Sequence, residues 1–323
     1  MIKYILYFKI WLIIFFLWGC KKEEGKGAKP GMPDAFVYII KKNESDTGRM
    51  YFKTLNNDST LEIKSPIKGG YISSPVWSAD KKRIYYIVNS ETYDKNGIYS
   101  INTDTSIFRN IFKDEQKQSR NYHNLVSSTD NKFLVFSMEI TRTGRKVIEL
   151  FKMSPSGIGV KRITKFETMQ GGMPISTESY AGSFSADQRD LYFCQSYDVD
   201  KETKQINIYR INMSSDSIQL ITSFNAKDIK STIPYINSNQ SKVLVSIDNI
   251  ITSIDVKTNS YTFISDLKGD EPKWNRSDDR IYFFSKGFNE NLAGIYSIKA
   301  NSSPLLFYNF NENIYKAEFS INF

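Results

Sequence analysis

The chain has 323 residues, of which 40% are hydrophobic and 14% aromatic, and 43 basic against 35 acidic side chains give a formal charge of +8. The acids lie among the bases in the same segments, which excludes the basic stripe that nucleic-acid binding requires. A histidine-based metal cluster is also excluded, because His123 is the only histidine. We expect neither a metal nor another cofactor.

The first 19 residues have the three parts of a secretory signal peptide. Lys3 and Lys9 flank the start, an apolar run covers 10–18, and Gly19 precedes Cys20. A run of about ten uncharged residues is too short to span a bilayer. The ending Leu17-Trp18-Gly19-Cys20 resembles the lipobox of bacterial lipoproteins, which implies cleavage before Cys20 and lipidation of that cysteine. An uncleaved anchor or a plain signal peptide is the alternative.

Residues 20–33 are polar, contain Gly and Pro, and show no periodicity, so they are predicted to form a flexible tether. The order Cys20-Lys21-Lys22-Glu23-Glu24 resembles a signal that sends some lipoproteins to the outer face of the outer membrane. We therefore expect a lipid-anchored protein of the bacterial cell envelope, at the outer membrane. Both the periplasmic and the surface-exposed face stay open.

From residue 34 to residue 323 one pattern recurs: an aromatic or apolar residue, a small polar residue, a turn former and then a strand. The copies start at Trp77, Ser127, Phe184, Ile236 and Trp274, which are 50, 57, 52 and 38 residues apart. Two further series of alternating apolar residues follow in phase, as expected for half-buried strands. Such spacing is typical of one four-stranded blade per repeat.

The first repeat lacks an innermost strand, because the segment at 36–40 already matches the second strand of the other repeats. The C-terminal segment 316–323 supplies the missing piece, with Phe319-Ser320 taken as the counterpart of Trp77-Ser78. The sequence therefore predicts an all-β, six-bladed propeller at 34–323 whose four-stranded antiparallel blades form a ring closed by the C-terminal strand. The 290 residues of this range give about 48 per blade.

The motif Trp/Phe-Ser-x-Asp-x-x-x-Ile-Tyr resembles the repeat of the TolB-like six-bladed propellers, also called WD-like repeats. In this chain Lys81, Asn131 and Gln188 replace the Gly that usually follows the Asp. The resemblance implies a propeller that binds other molecules of the envelope.

The repeated acids Asp80, Asp130 and Asp187 are predicted to be structural turn residues. A short carboxylate at a chain reversal accepts backbone N–H bonds in an Asx-turn. Three such acids spread around a ring cannot converge on one atom, which disfavours a catalytic or metal-binding role. Cys194, within a strand, is predicted to be a buried small residue and not a nucleophile.

Candidate ligand-binding residues come from the long connections, since binding residues concentrate on loops of a rigid scaffold. The connections at 89–96, 114–124, 139–146, 167–179, 196–205 and 286–291 are long and varied, and they are predicted to emerge on one face. The residues expected near the channel mouth on that face are Tyr71, Arg120, Tyr122, His123, Met169, Met173 and Tyr180.

Two classes of function compete. The first is a non-catalytic, monomeric envelope lipoprotein whose loop face binds a protein or a glycan. The second is an enzyme that acts on glycans in the channel, as a lyase or a hydrolase. The sequence favours binding, because the predicted inner-strand positions show no paired carboxylates and no catalytic motif occurs.

Overall fold

The computed structural model describes residues 35–41, 47–55, 59–91, 95–104, 107–112, 120–142, 144–165, 169–170, 173–174, 177–200, 202–227, 232–275, 277–286, 293–299, 302–310, 314 and 316–322. Within these ranges the chain forms 26 β-strands and no α-helix. None of the described segments is a helix with the length and hydropathy of a membrane span. The predicted signal peptide, Cys20 and the tether lie outside the described residues.

The strands form six antiparallel blades, and the order within each blade follows the chain from the innermost strand outwards, except in the first blade. Blade 1 contains β26 (Lys316–Asn322), β1 (Ala35–Lys41), β2 (Arg49–Thr54) and β3 (Thr60–Ile63). Blade 2 contains β4 (Tyr71–Trp77), β5 (Arg83–Asn89), β6 (Gly97–Asn102) and β7 (Phe108–Phe112). Blade 3 contains β8 (Tyr122–Ser127), β9 (Leu134–Arg142), β10 (Arg145–Met153) and the short β11 (Lys161–Arg162).

Blade 4 contains β14 (Thr177–Phe184), β15 (Asp190–Asp198), β16 (Lys204–Asn212) and β17 (Ile218–Ala226). Blade 5 contains β18 (Tyr235–Ile236), β19 (Lys242–Ile247), β20 (Ile250–Asp255) and β21 (Tyr261–Lys268). Blade 6 contains β22 (Asp270–Trp274), β23 (Arg280–Ser285), β24 (Gly294–Lys299) and β25 (Leu305–Asn309). Between blades 3 and 4, β12 (Met169–Gln170) pairs with β13 (Met173–Pro174), and one parallel bridge joins β10 to β14.

The two ends of the described chain meet in blade 1, where β26 pairs antiparallel with β1 along seven residues. Ile321 lies opposite Phe36, as Trp77 lies opposite Ile84 in blade 2, and Phe36 and Ile84 both face the preceding blade. Ile321 is therefore the counterpart of Trp77, and the predicted equivalence of Phe319 with Trp77 is wrong by two residues. The short apolar pattern of this strand matches more than one register, and only the pairing with β1 fixes it.

Six hydrophobic clusters hold the blades together, one at each interface between neighbours. The interface between blades 6 and 1 is packed like the others, so burial continues around the whole ring. Members from the two neighbouring blades of each cluster, in ring order, include Ile39 and Tyr86, Ile87 and Phe136, Val135 and Phe193, Tyr192 and Val245, Leu244 and Phe283, and Tyr282 and Phe36. The all-β propeller predicted from the repeats is confirmed.

The turn after each inner strand of blades 2 to 6 has the same hydrogen bonds. In blade 2, the N–H of Lys81 donates to the carbonyl of Ser78 at 3.0 Å, and Asp80 Oδ1 accepts from Ser78 Oγ at 2.6 Å and from the N–H of Lys82 at 3.1 Å. Asp130 and Asp187 accept the corresponding N–H bonds at 3.2 Å. Each of these carboxylates accepts bonds within its own turn, and the three lie in different blades.

The residue after the turn former, which is Asp in blades 2 to 4, Asn in blade 5 and Ser in blade 6, adopts the left-handed conformation in all five of these turns, with φ between 57° and 61°. None of the five is Gly; they are Lys81, Asn131, Gln188, Gln240 and Asp278. This conformation explains why Gly is usual at the position, since only Gly adopts it without steric cost.

Two of the predicted long loops are largely strand. β9 and β10 extend to Arg142 and Arg145, and β15 and β16 extend to Asp198 and Lys204, so their connections are short. Polar side chains alternate with apolar ones at both sites, and this mixed pattern is compatible with either a loop or an extended hairpin. Cys194 on β15 is fully buried, and burial raises the pKa of its thiol to about 12, which suits the packing role predicted for it.

Candidate functional site

A cavity of about 600 Å³ follows the axis of the ring. Residues from the inner strands of all six blades line it. Tyr71 and Asn121 lie at the end where the inner strands begin, and Thr129 and Gln188 lie at the end where they turn back. At the turn end, Gln188 Oε1 accepts the N–H of Thr129 at 2.8 Å and so links blades 3 and 4. The remaining wall determines what the cavity can bind.

Four of the six inner strands carry a bulge at the level of this cavity, in β4, β8, β14 and β22. The first residues within the bulges are Ser74, Asn124, Gly182 and Glu271, and each of them lines the cavity. Ser74 and Glu271 both have a φ of 53° and both precede a proline. Bulges change the direction of a side chain, and non-glycine residues held in strained conformations cluster at functional sites.

Two of the three most buried charges of the cavity belong to blade 6. Lys273 Nζ lies 3.6 Å from Glu271 Oε2 and donates a hydrogen bond to the carbonyl oxygen of Phe319 in blade 1. The same ammonium lies 4.4 Å from the ring centre of Phe319 and 5.4 Å from that of Tyr235 in blade 5. Lys273 is therefore held by an ion pair, a carbonyl and two aromatic rings from three blades.

A second ion pair lies in blade 1. Glu318 Oε1 is 3.5 Å from Lys316 Nζ, and Glu318 Oε2 accepts the N–H of Ser74 at 2.7 Å. The bulge in β4 removes this N–H from the strand ladder, and Glu318 satisfies it. Glu318 thus connects blade 1 to blade 2, just as Lys273 connects blade 6 to blade 1.

Burial and neighbouring charges shift the pKa values of these groups in different directions. Burial raises the pKa of Glu271, Lys273 opposes the shift, and Glu318 adds to it. Burial lowers the pKa of Lys273, although both glutamates oppose this. For Glu318, burial alone would raise the pKa, but Lys316, the Ser74 N–H and Lys41 together bring it below its usual value.

The predicted ligand-binding residues are only partly brought together. Tyr71, Tyr122, His123 and Tyr180 contribute to the cavity wall, and the ring centres of His123 and Tyr180 are 6.0 Å apart. They lie on strands β4, β8 and β14, however, and not on loops. Arg120 lies two residues before β8, and its carbonyl accepts a hydrogen bond from the Asn96 side chain at 3.0 Å. The side chains of Met169 and Met173 are outside the described residues.

Two of the predicted residues belong to the core. Tyr122 is 1% exposed and Tyr180 is 2% exposed. The Tyr122 ring packs on Phe112 and Phe136, and its backbone N–H and carbonyl both bond to the side chain of Asn89. Their aromatic rings fill blade interfaces, which leaves Tyr71 and His123, both half-buried, as the better candidates for ligand contact.

The two glutamates were missed by the sequence reasoning, which found no paired carboxylates on the inner strands. Glu271 lies beside Pro272 within a bulge of β22, and the register of β26, which sets the level of Glu318 in the cavity, was assigned two residues away. The short alternations Glu271-Pro272-Lys273 and Lys316-Ala317-Glu318 are the signal that was present, since alternate residues share a strand face. Among the described residues, no group of three His, Cys, Asp or Glu side chains is placed to hold a metal ion.

No protein-family model matches the chain, and no curated protein matches its sequence. Solved structures match over most of its length. TolB from Acinetobacter baumannii gives a TM-score of 0.58 at 16% identity, over 88% of this chain and 66% of TolB. A structure of the nidogen/laminin complex gives 0.61 at 9% identity, over 90% of this chain and 98% of the matched one. An oligogalacturonate lyase in complex with manganese gives 0.55 at 11% identity, over 84% and 72%.

These likenesses show the fold: the chain is a β-propeller, similar in architecture to TolB. The chain spans just under two thirds of TolB. Because a lyase and the nidogen/laminin complex share the architecture, the fold does not decide between catalysis and binding, and function has to be argued from the cavity.

Proposed function

We propose that the protein is a non-catalytic lipoprotein of the bacterial cell envelope whose propeller binds a protein or an envelope ligand in its axial cavity. The observation that carries this proposal is that the charged side chains of the cavity connect neighbouring blades. Lys273 and Glu318 link blades 5, 6, 1 and 2 through ion pairs, a carbonyl, an N–H and aromatic rings. Because these contacts fix the charged groups in the cavity wall, they support a preformed binding site.

The envelope part of the proposal rests on the sequence. The signal-like segment at 1–19, the lipobox-like ending at Cys20 and the polar tether at 20–33 would hold the propeller at the outer membrane. We expect a monomer that meets an envelope protein or a glycan, with no role in nucleic-acid binding.

The test is affinity capture from envelope extracts with the full chain anchored through Cys20. His123→Ala and Tyr71→Ala should each reduce capture of the partner about tenfold or more, because both side chains line the cavity. Tyr261→Ala is the matched control, since Tyr261 is 42% exposed on the outer strand β21. If Tyr261→Ala reduced capture as much as the two cavity variants do, binding would have to take place elsewhere on the surface.

A second candidate is an enzyme that acts on glycans in the cavity, and one observation favours it. Glu271 and Glu318 line the same cavity, and their pKa values are shifted in opposite directions, as in a general acid and a base. Turnover of a glycan library by the purified chain, lost in both Glu271→Gln and Glu318→Gln, would establish this function and contradict the binding proposal. Absence of turnover together with Tyr71-dependent capture would leave binding as the function.

A further inference from the structure

Two lysines stand side by side where the inner strand of blade 1 begins. Lys316 of β26 is the direct register partner of Lys41 of β1, and both side chains line the cavity. Directly opposed like charges in an antiparallel pair destabilise a sheet. A pairing of this kind needs a compensating negative charge at the same end of the cavity.

The described wall supplies only part of that charge. The charged residues of the lining are three lysines and two glutamates, so three minus two leaves an excess of one positive charge. Glu271 is paired with Lys273. Glu318 is paired with Lys316, and the positive charge of Lys41 also helps to lower the pKa of Glu318. One carboxylate therefore serves two ammonium groups, and it also accepts the N–H of Ser74.

Apart from Glu318, the cavity wall beside the lysine pair consists of aromatic and uncharged polar side chains. Lys41 Nζ lies 5.8 Å from the ring centre of Tyr71, and Asn121 and His123 continue the wall towards blade 3. A ligand with one negative charge would neutralise the excess positive charge of the cavity. A doubly charged phosphate would instead leave the cavity with an excess of one negative charge. A half-buried ammonium also forms stronger hydrogen bonds to an ionised oxygen than to a neutral one.

We propose that Lys41 and Lys316 form a carboxylate-binding subsite at this end of the cavity, which takes a ligand that carries a single carboxylate. The inference rests on the proposed binding function and specifies the chemistry of the ligand. Sugar acids and amino-acid derivatives both present such a group, and the probes below distinguish the two sources.

The experiment is a ligand-observed NMR titration of the full chain at low salt with D-glucuronate and with D-glucose, which lacks the carboxylate. We expect glucuronate to bind at least tenfold more tightly than glucose. Lys41→Gln and Lys316→Gln should each weaken glucuronate binding about tenfold and leave glucose binding unchanged. Lys257→Gln is the control, because Lys257 is exposed in a turn of blade 5. N-acetylglycine reports whether the carboxylate alone is sufficient or a sugar ring adds affinity.

A variant with the opposite expected effect protects the test against simple loss of folding. Glu318→Gln removes the carboxylate that competes for Lys316, and its amide oxygen can still accept the Ser74 N–H. Glucuronate binding should therefore become several-fold tighter. Equal affinity for glucuronate and glucose, or unchanged glucuronate binding in both lysine variants, would overturn the subsite. If neutral probes still bind in a Tyr71-dependent manner, the binding function survives that result; if the wild type binds no probe and captures no partner, both proposals fail.

Discussion

The turn that follows each inner strand and the cavity wall formed by the same strands differ in how far they repeat. The turns have one backbone hydrogen-bond pattern in five blades, and in each of them the residue at the same position has a left-handed backbone conformation. The wall carries bulges at one level in four blades, but the first residue of the bulge differs in each: Ser, Asn, Gly or Glu. Regular repetition in this molecule marks the scaffold, and divergence within a repeated position marks the candidate site.

The largest expected effect comes from the wall. A Cβ atom on Gly182 would lie 2.0 Å from the carbonyl oxygen of Pro234 in the next blade, closer than any real contact. Gly182→Ala should therefore destabilise the chain by about 3 kcal/mol or more, measured by urea unfolding. Gly69→Ala is the control: its Cβ would meet nothing within 4 Å, and only its positive φ costs about 1 kcal/mol. Equal losses in the two variants would show that the blades tolerate rearrangement at the bulge.

The next effect tests the buried ion pair. The side chains of Lys273 and Glu271 are 18% and 16% exposed, so Lys273→Met would leave Glu271 in the wall without its cation. We expect a loss of about 2–4 kcal/mol at pH 7 in urea unfolding. The double variant Glu271→Gln/Lys273→Met, which removes both charges, should recover most of that loss. A double variant as unstable as the single one would contradict an electrostatic origin.

The loss caused by Lys273→Met should depend on pH in a defined direction. Burial already raises the pKa of Glu271, and removal of Lys273 raises it further. A carboxyl group whose pKa is higher in the folded than in the unfolded chain contributes its full stability below the unfolded-state pKa, about 4.3. The chain loses that contribution as the pH rises through the folded-state pKa of the group. The deficit of the variant should therefore be largest near neutral pH and should shrink as the pH falls towards about 4.

The fold could be predicted from the repeats, because a turn motif and alternating apolar strands depend on local sequence. The cavity charges could not be predicted in the same way. Glu271 lies within a bulge of β22 beside Pro272, where the regular strand register is interrupted, and the position of Glu318 depends on pairing with β1, about 280 residues away in the chain. Tyr122 and Tyr180 were placed near the channel mouth, but whether an aromatic ring caps a blade or fills an interface depends on the neighbouring blade.

A smaller effect tests the repeated turns. Asp80→Ala removes the acceptor of the Ser78 hydroxyl and of the Lys82 N–H, and it should cost about 0.5–1 kcal/mol in urea unfolding. Asp130→Ala and Asp187→Ala should cost about the same amount, because their carboxylates accept the corresponding N–H bonds. None of the three should change ligand binding. A selective loss of binding in one of them would give that acid a functional role that its repeated geometry does not indicate.

The smallest effect should be a gain in stability. Lys81 has a φ of 59°, a conformation that an L-residue with a Cβ adopts only at a steric cost. Lys81→Gly removes this cost, and part of the gain is cancelled by the greater freedom of glycine in the unfolded chain, so we expect about 0.5–1 kcal/mol of added stability in urea unfolding. Asn131→Gly should give a smaller gain, because Asn tolerates the left-handed region better than Lys. Lys81→Ala separates the two contributions: it removes the lysine side chain, keeps the Cβ atom and should give no gain. If Ala stabilised the chain as much as Gly, the left-handed backbone would not be the reason that this turn favours glycine.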